Sequence, residues 1–501
     1  MLTEEQQALV HYPFKGKCSV VVVQAYAGTG KTSTLIELAK ERREEKILYI
    51  AYNKSMAEEA KRKFKDIKNV HTQTIHSLAF KHIGKNYIDR LGNLSPLNIG
   101  EITKYFLSSS GNKTVSSILI QCFNKYLSSS HKNQQEFFEH YYKKYREMLS
   151  KYDIQPHKLF GALDALWRAT SQGDTQFGDI PMPHDVYLKL FQIASYKLPF
   201  STLLIDEAQD ITDCMINIVC EQNAHKVFIG DSFQQIYAWN GAVDSLEKLH
   251  EQGADCLYLT KSFRCPDNVA ELANQYLRLM GARKPFYGNG SRNSIAEHSC
   301  TAFIARSNAS IFTEAYKTVE DGGTPYFLGG FAGYNFELLL DLSYAQCGKW
   351  NYVRDVNLKS NFKSFVEIEE YAECDQILLS RCNIVKKFGK HVISMYNRIK
   401  NTLTIDEKKA TRVFSTAHKA KGAEWNSIEL AGDFFNVQEN VIREIKNGEI
   451  VTVNKEELNI IYVAITRSKH RIIIQNIFCI DNLAVKLFLM AIKTKNIIFE
   501  K

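Results

Sequence analysis

The feature that most constrains the fold is a repeated alternation of short apolar, β-branched runs with helical patterns. The first series of runs is SVVVVQ (Ser19 to Gln24), KILYIA (Lys46 to Ala51), STLLID (Ser201 to Asp206) and KVFIGD (Lys226 to Asp231). A second series is ADCLYLT (Ala254 to Thr260), TAFIAR (Thr301 to Arg306), RVFST (Arg412 to Thr416), SIELAG (Ser427 to Gly432) and HRIIIQN (His470 to Asn476). Strands that are apolar throughout and alternate with helices are typical of parallel sheets covered on both faces. The sequence therefore predicts an α/β fold with two parallel-sheet cores in tandem.

Each predicted core is interrupted by a stretch that lacks the strand pattern. We assign 1–85 and 182–260 to the first core and 261–334 and 410–501 to the second, with a helical insertion at 86–181 and a short insertion at 335–409. Within the first insertion lies EFFEHYYKKYREML (Glu136 to Leu149). Its pattern favours an amphipathic helix with aromatic side chains in the core over a surface on which nucleic-acid bases stack.

Composition limits the class of protein. The 501 residues include 63 Lys and Arg against 55 Asp and Glu, a net charge of +8 that is compatible with a polyanionic partner. Eleven cysteines occur without a C-x-x-C pair, which argues against a zinc site or a disulfide scaffold. The chain has no secretory signal and no apolar run near the roughly 20 residues that span a bilayer. We expect a soluble intracellular protein, cytoplasmic, nucleoid-associated or nuclear, with no membrane partner.

A phosphate-binding pattern stands between the first predicted strand and its helix. In AYAGTGKTS (Ala25 to Ser33), glycines let backbone N–H groups approach a β-phosphate, and the following helix N-terminus adds partial positive charge. Lys31 would reach the β- and γ-phosphates and Thr32 would offer its hydroxyl to Mg²⁺. The pattern departs from the usual motif because Ala25 stands where the motif has its first glycine. The predicted ATP-binding segment comprises Ala27, Gly28, Thr29, Gly30, Lys31, Thr32 and Ser33.

The acidic half of a nucleotide site is expected at the end of another strand, in LLIDEAQD (Leu203 to Asp210). Asp206 would hold Mg²⁺ and Glu207 would orient or polarise the attacking water. A helix cap is the alternative for an isolated Asp-Glu pair, but the accompanying phosphate loop favours an NTPase. The second core places an arginine in each of SFRCP (Ser262 to Pro266) and YVAITRSKH (Tyr462 to His470), which argues against a metabolite kinase; for either arginine alone a surface ion pair is the alternative.

Ten segments in order carry a family resemblance: LTEEQQ, AYAGTGKTS, YNKSMAEEA, TIHSLA, LLIDEAQD, GDSFQQIYAWNGA, LTKSFRCP, IARSNA, STAHKAKGAEW and EELNIIYVAITRSKH. In these the chain resembles the UvrD/Rep-type superfamily 1A DNA helicases, most closely the helicase core of the F-box DNA helicases. No F-box segment fits before Leu2, so we expect an F-box to be absent. The resemblance implies two tandem RecA-like P-loop cores, each with a mainly helical insertion.

The resemblance also implies roles at the nucleotide. Gln6 matches the glutamine that reads adenine, and Phe263 the aromatic residue that stacks on it. Gln234 matches the γ-phosphate sensor, and Glu424 the acid that contacts the ribose. Arg264 and Arg467 match the two arginines that stabilise the transferring phosphoryl group. With Lys31, Asp206 and Glu207, the sensor and these arginines form the implied catalytic set.

Further matching positions line the single-stranded DNA path of the family. They are Tyr52, Asn53, Thr74, His76, Tyr237, Trp239 and His418. Stacking of bases on aromatic side chains tolerates any base sequence, as a translocating motor requires. The chain departs from the family at Asn240 and Ser33, where an arginine is usual, and in its short second insertion.

The resemblance implies an ATP- and Mg²⁺-dependent motor, active as a monomer, that moves 3′ to 5′ on single-stranded DNA and acts at single-strand/duplex junctions. It would unwind duplexes or displace bound protein in DNA repair, recombination or replication. An ATP-switched DNA-binding or signalling subunit of a larger complex, including one in phage defence, is the alternative. The short second insertion and Asn240 favour this alternative slightly.

Overall fold

The computed structural model describes residues 2–16, 18–96, 98–107, 113–151, 154–237, 241–290, 301–372, 376–435, 442–446, 449–474 and 498–499. The chain divides into two compact units, the first comprising 1–26 and 30–259 and the second 27–29 and 260–501. Within the described residues, no helix is long and apolar enough to cross a bilayer.

A six-stranded sheet forms the centre of the first unit. Its strands are β1 (Val20–Ala25), β2 (Ile47–Ala51), β3 (Val70–Thr74), β4 (Thr202–Ile205), β5 (His225–Gly230) and β6 (Asp255–Leu259). The strand order is β3-β2-β4-β5-β1-β6, and every neighbouring pair is parallel. All six strands therefore end at the same edge of the sheet, which we call the carboxyl edge.

The apolar character of these strands follows from burial on both faces. In β1, Val21 and Val23 pack in one hydrophobic cluster while Val22 packs in another on the opposite face. Side chains alternate between the faces of a strand, so a run of valines supplies both layers at once. This is why the strand reads as a continuous apolar run in the sequence.

Helices cover the two faces of this sheet. Those close to the strands in sequence are α1 (Glu4–Val10), α2 (Lys31–Glu41), α3 (Lys54–Lys63), α4 (Ile75–His82), α9 (His184–Ile193), α10 (Asp213–Cys220) and α11 (Ser245–Glu251). The insertion contributes α5 (Gly100–Leu107), α6 (Lys113–Ser128), α7 (Gln134–Lys151) and α8 (Pro156–Gln172). In α7, Phe137 is buried and stacks on Tyr141 with ring centroids 4.6 Å apart. The predicted amphipathic helix therefore places these aromatic side chains in or against the core.

A five-stranded sheet forms the centre of the second unit. Its strands are β7 (Thr301–Ala305), β8 (Pro325–Phe327), β9 (Arg412–Thr416), β10 (Trp425–Leu430) and β13 (Ser468–Ile474), in the order β13-β10-β7-β9-β8. Each neighbouring pair is again parallel. A separate small sheet contains β11 (Ile442–Lys446), β12 (Glu449–Val453) and β14 (Ile498–Phe499). The prediction of an α/β fold with two parallel sheets is confirmed.

Helices of the second unit flank its sheet and fill its insertion. They are α12 (Asp267–Leu279), α13 (Asn308–Glu320), α14 (Glu337–Gln346), α15 (Val356–Asn361), α16 (Phe365–Ala372), α17 (Gln376–Phe388), α18 (His391–Thr402), α19 (Ala417–Ala420) and α20 (Lys455–Ile465). Helices α14 to α18 lie between β8 and β9 in the chain. They share one hydrophobic cluster with Phe303 of β7 and Phe414 of β9, so this insertion is packed on the sheet rather than separate from it.

The structure corrects the strand assignment at several positions. The run at 254–260 stands in the second series of runs although the predicted boundary puts it in the first core; its strand β6 pairs with β1 in the first sheet. Strands β3 and β8, which lie at sheet edges, are not among the predicted runs, and neither are β11, β12 and β14 of the small sheet. Strand β3 has mostly half-exposed residues, and β8 is only three residues long and begins with Pro325. Edge strands need less apolar character than central ones, and proline is tolerated at their first residue.

Candidate functional site

The phosphate-binding pattern connects β1 directly to α2. Gly28 and Gly30 have φ of +70° and +79°, a left-handed conformation that glycine adopts without strain. Gly30 occupies the N-cap position of α2 and Lys31 is the first helical residue. The loop therefore ends at a helix N-terminus, whose backbone N–H groups carry the partial positive charge that suits an anion.

Lys31 faces the two acidic residues that follow β4. Its Nζ lies 3.4 Å from Oε1 of Glu207, and both side chains are largely buried. Burial lowers the pKa of Lys31, but the carboxylates of Glu207, Asp206 and Asp231 more than offset this, so the pKa lies above its usual value. Lys31 is therefore held as a cation among these acids.

Asp206 is buried beside Tyr49, whose hydroxyl donates a hydrogen bond to Oδ2 of Asp206. Burial and the neighbouring Glu207 raise the pKa of Asp206, and Lys31 and the Tyr49 hydrogen bond only partly oppose this. At Asp206, burial and the neighbouring acid thus outweigh the effect of the Lys31 ammonium. An additional cation would be stabilised at this position.

The position of Asp206 beside a second acid suits a magnesium ion. Asp206 offers a carboxylate at the end of β4, and Thr32 offers a hydroxyl in the first turn of α2. Oxygen atoms of these kinds are the ligands that Mg²⁺ prefers, together with water and phosphate oxygens. Asp206 and Thr32 are therefore the residues of this unit that would hold the ion.

A hydrogen-bonded relay connects Glu207 to the end of β5. Glu207 has φ of +50°, unusual for a residue other than glycine, and its Oε2 accepts from Nε2 of Gln209 at 2.6 Å. Oε1 of Gln209 accepts from the backbone N–H of Asp231 at 3.0 Å. A Cβ on Gly230 would lie 2.2 Å from the same oxygen. Only glycine at position 230 leaves room for Gln209 to make this connection.

The residues after β5 form a second buried group around Asp231. Oδ2 of Asp231 accepts from Nε2 of Gln234 at 2.7 Å, and Oδ1 accepts from Nε2 of Gln24 at 3.0 Å. Oε1 of Gln24 in turn accepts from the backbone N–H of Ser232. Asp231 therefore fixes Gln234 by a hydrogen bond. Asp231 is itself fixed by Gln24 of β1 and, through its backbone N–H, by Gln209.

An aromatic pair lies beside these polar residues. The rings of Tyr52 and Tyr237 stack with centroids 6.0 Å apart and planes at 12°. Burial raises the pKa of Tyr237 to about 12, with smaller contributions from Asp210, Tyr52 and Glu207. Two residues predicted to line the DNA path are thus brought together. Trp239 and Asn240 lie outside the described residues.

The other polar residues predicted for the DNA path in this unit have local structural contacts. Asn53 and Thr74 are the N-caps of α3 and α4, where their side chains accept from the backbone N–H groups of Met56 and Ser77. A hydrogen bond of 2.9 Å joins Nε2 of His76 to Oδ1 of Asp185. Caps and ion pairs satisfy these side chains within the unit.

The strand order places these groups along one edge. Strands β4, β5 and β1 are consecutive in the sheet, and they lead into the acidic pair, the Asp231 group and the phosphate-binding loop. Strands β3 and β2 are next in line, and they lead into His76 and Tyr52. Ligands of open parallel sheets bind at the carboxyl ends of the strands. The carboxyl edge therefore carries the candidate nucleotide residues beside the candidate DNA residues.

In the second unit, Arg264 and Glu424 form an ion pair. Nε of Arg264 lies 2.7 Å from Oε2 of Glu424, and Nζ of Lys469 lies 3.3 Å from Oε1 of the same carboxylate. Burial raises the pKa of Glu424, but these two cations more than offset it and the pKa lies below its usual value. The predicted ribose contact and one predicted phosphate contact are therefore paired with each other. Phe263 is 44% exposed, as a side chain available for stacking must be.

Arg467 is fully buried, unlike Arg264. Its Nε donates to the carbonyl of Val463 at 2.8 Å, and Nη2 donates to Oγ1 of Thr466 at 3.0 Å. The structure thus places Arg467 inside the second unit, at the end of α20. His418 lies in the short helix α19, which follows β9.

Gln6 is placed in a capping box at the start of α1. Its Oε1 accepts from the backbone N–H of Thr3 at 3.0 Å, and its backbone N–H donates to Oγ1 of Thr3 at 3.2 Å. The side chain is buried. A residue predicted to read a base therefore also fixes the helix that carries it.

Comparison with known families matches residues 2–252 to the UvrD/REP helicase N-terminal domain, half of the chain. The chain belongs to the UvrD/REP helicase family. Among curated relatives, it is 27% identical to F-box DNA helicase 1 of Gallus gallus over 93% of this chain and 48% of that protein. It is also 27% identical to F-box DNA helicase protein 1 of Schizosaccharomyces pombe, over 95% of this chain and 57% of that protein.

A shorter match connects the chain to bacterial members of the family. It is 26% identical to DNA helicase II of Escherichia coli, over 28% of this chain and 21% of that protein. The chain spans about half the length of the two F-box relatives that it matches.

For this member of the UvrD/REP family, the structure adds residues that the sequence analysis did not select. Gln209 and Asp231 lie inside quoted motifs. For Asp231 the available signal was a polar residue directly after an apolar strand, whereas Gln209 lies four residues beyond the end of β4. Gln24 is similarly a polar residue near the end of an apolar run. Tyr49 carried no such signal, because an aromatic residue in a buried strand is usually a core residue.

Proposed function

We propose that the chain is an ATP-dependent single-stranded DNA translocase and DNA helicase. The observation that carries this proposal is the segment after β5. Gln234 is fixed by Asp231 beside the acidic pair, and three residues later Tyr237 stacks on Tyr52. A short piece of backbone thus connects the candidate γ-phosphate sensor to an aromatic pair suited to bases. Such a connection lets nucleotide state alter the grip on a strand.

In hydrolysis, the side chains of this protein bind, orient and neutralise charge. ATP with Mg²⁺ would supply the transferable phosphoryl group and its counter-ion. Lys31 binds the phosphates, Glu207 orients the attacking water and Gln234 senses the γ-phosphate. Arg264 and Arg467 neutralise negative charge that develops during transfer, and Gln209 orients the carboxylate of Glu207 through its hydrogen bond.

The proposed substrate is single-stranded DNA, entered from a single-strand/duplex junction, with movement 3′ to 5′ by a monomer. The names of the relatives as DNA helicases support DNA as the substrate. The aromatic pair supports single strands, because stacking on Tyr52 and Tyr237 requires unpaired bases. Unwinding or protein displacement would serve DNA repair, recombination or replication.

The decisive measurement is steady-state ATP hydrolysis with and without single-stranded DNA, followed by strand displacement on duplexes with one 3′ or one 5′ tail. We expect stimulation of at least about tenfold by DNA and displacement from the 3′ tail. Lys31→Ala is the control for contaminating hydrolysis. Strand displacement only on the duplex with a 5′ tail would contradict the proposed 3′ to 5′ movement. Hydrolysis that DNA does not stimulate would contradict the proposal of a DNA translocase.

One observation favours the second candidate, an ATP-switched DNA-binding or signalling subunit with little unwinding. Arg264 is paired with Glu424, and Arg467 is bonded to the backbone of its own unit. A protein whose arginines stay in these contacts would hydrolyse slowly. This candidate predicts ATP-dependent DNA affinity without DNA-stimulated turnover, which the same assay separates from the motor.

A further inference from the structure

Four successive carbonyl oxygens after α6 accept hydrogen bonds from side chains. The segment Ser128–Lys132, which we call the α6 turn, has no regular structure beyond its first residue. Nζ of Lys189 donates to the carbonyls of Ser129 at 2.7 Å and His131 at 2.9 Å. Nε2 of Gln192 donates to the carbonyl of Ser130 at 2.8 Å.

The fourth carbonyl, that of Lys132, accepts from the hydroxyl of Tyr126 at 3.2 Å. Lys189 and Gln192 are both buried on α9, and Oε1 of Gln192 accepts from Nζ of Lys189 at 2.7 Å. A buried ammonium without a carboxylate partner is costly. Its three hydrogen bonds therefore point to a requirement for a rigid α6 turn, beyond ordinary packing of the insertion.

The α6 turn contacts the far end of the segment that follows β5. Gly241 has φ of +79°, and a Cβ there would lie 2.9 Å from Oγ and 3.0 Å from Cβ of Ser128. From Gly241 the chain continues into a bridge between Ala242 and Thr212 and a hydrogen bond from the N–H of Val243 to the carbonyl of Ile211 at 3.1 Å.

The described residues 231–237 and 241–244, which we call the sensor loop, are thus held at both ends. Its base is closed by a 2.8 Å hydrogen bond from Oγ of Ser232 to Oδ1 of Asp244. Its outgoing part, 231–237, contains Gln234 and Tyr237, and its returning part, 241–244, begins at Gly241 beside Ser128. The outgoing part is held by the sheet edge, whereas the returning part is held by the helical insertion.

We propose that Lys189 and Gln192 are positioning residues that hold the α6 turn against Gly241 and so fix the returning part of the sensor loop for DNA binding. The part of this inference that concerns DNA binding rests on the proposed function. It assigns the insertion a role at the strand-binding loop that does not require direct contact between Lys189 and DNA.

The test uses the full chain and two isosteric substitutions, Lys189→Met and Lys226→Met. Lys226 is a matched control because it is also buried in the first unit and donates to a backbone carbonyl, that of Gln222, at 2.6 Å. It lies at the start of β5, at the opposite edge of the sheet. Both substitutions delete a buried ammonium, but only Lys189→Met removes the support of the α6 turn.

The first readout is hydrogen exchange at the amide of Val243 without DNA. We expect Lys189→Met to accelerate this exchange about tenfold and Lys226→Met to leave it within about twofold. The second readout is the DNA concentration for half-maximal ATPase stimulation, which should rise about tenfold in Lys189→Met alone while DNA-independent hydrolysis is unchanged. Unchanged exchange at Val243, or equal acceleration by both substitutions, would overturn the inference. Absence of DNA stimulation in the wild type would instead overturn the proposed function.

If Lys189→Met does not fold, Gly241→Ala and Gly241→Ala/Ser128→Gly replace it. Removing the Ser128 side chain relieves the contact with the added methyl group but not the strain of a positive φ. Partial recovery of slow exchange at Val243 in the double variant supports the inference. No recovery shows that Ser128 does not support Gly241 and overturns it.

Discussion

The two units treat their candidate charged residues differently. In the first unit, burial and the neighbouring Glu207 keep the pKa of Asp206 raised although Lys31 is close to the pair. In the second unit, Arg264 and Lys469 both lie against Glu424 and lower its pKa, so opposite charges already satisfy one another. A further cation would favour the charged form of Asp206 in the first unit, whereas the charges around Glu424 in the second unit are already paired.

The same contrast extends to buried cations away from these sites. In the second unit, Arg306 makes a two-pronged pair with Glu457, which raises the pKa of the guanidinium. In the first unit, Lys189 is buried among backbone carbonyls, and burial lowers its pKa to about 8. Paired charges are insensitive to pH near neutrality, whereas a buried lysine of this kind is a titrating group.

The largest expected effect comes from Lys31, on which the first half of this comparison depends. Lys31→Ala should reduce ATP hydrolysis by at least about a thousandfold, because it removes the phosphate-binding cation of the site. Steady-state hydrolysis measures the loss, and thermal unfolding should show an intact fold. Lys40→Ala is the control, since Lys40 is on the same helix but half exposed and paired with Glu37. A variant that keeps a tenth of the activity contradicts this role.

Arg264 tests the second half of the comparison. Arg264→Ala should lower kcat by about a thousandfold with a smaller change in the KM for ATP, as expected for a contact made mainly in the transition state. Lys469→Ala removes the other cation from Glu424, so it separates loss of a Glu424 partner from loss of a phosphate contact. We expect kcat of that control to stay within about twofold of the wild type. Equal losses in both variants would reduce Arg264 to an ion-pair partner.

The central strands and the nucleotide motifs could be predicted from the sequence because each rests on a local pattern. Val21 to Val23 are apolar in consecutive positions since both faces of β1 are covered. Gly28, Gly30 and Lys31 are adjacent in sequence and need only the strand and helix on either side. Strands β3 and β8 escaped prediction because an edge strand needs neither continuous apolar character nor length.

Side-chain contacts between segments that are distant in the sequence could not be predicted. Gln209 has the appearance of one more polar residue after the acidic pair, and only the fold brings its amide to the N–H of Asp231. Lys189 occurs in an ordinary amphipathic helix, and its burial depends on the turn after α6. The ion pair of Arg264 with Glu424 joins residues 160 positions apart. In each case the function of the side chain is set by a partner that no local pattern specifies.

Lys189 predicts a pH dependence of stability specific to the first unit. Its pKa is about 8 in the folded protein against an ordinary value of 10.5, so the unfolded chain binds more protons between these values. The contribution of this group to the free energy of unfolding is therefore present above pH 10.5 and is lost as the pH falls through 8, a change of up to about 3 kcal/mol. Urea unfolding at pH 7.5 and 10 measures it.

Other groups near Lys189 also titrate or carry charge, namely Tyr126, His131, Asp213 and Cys214. The quantity to compare is therefore the difference in unfolding free energy between the wild type and Lys189→Met at each pH. That difference should move in favour of the wild type as the pH rises. A difference independent of pH would show that Lys189 keeps its ordinary pKa and is not the titrating group.

The smallest expected effect is at the aromatic pair, which has no equivalent among the candidate residues described in the second unit. Tyr52→Ala and Tyr237→Ala should each weaken single-stranded DNA binding by about 1 to 2 kcal/mol, roughly five- to thirtyfold, because one stacking surface is lost. Fluorescence anisotropy with a labelled oligonucleotide measures the affinity, and Tyr352→Ala is the control for an exposed tyrosine of the second unit. Because the two rings stack on each other, the double variant should lose less than the sum of the single losses. Strict additivity would mean that the rings bind DNA independently, and unchanged affinity would leave the pair as packing alone.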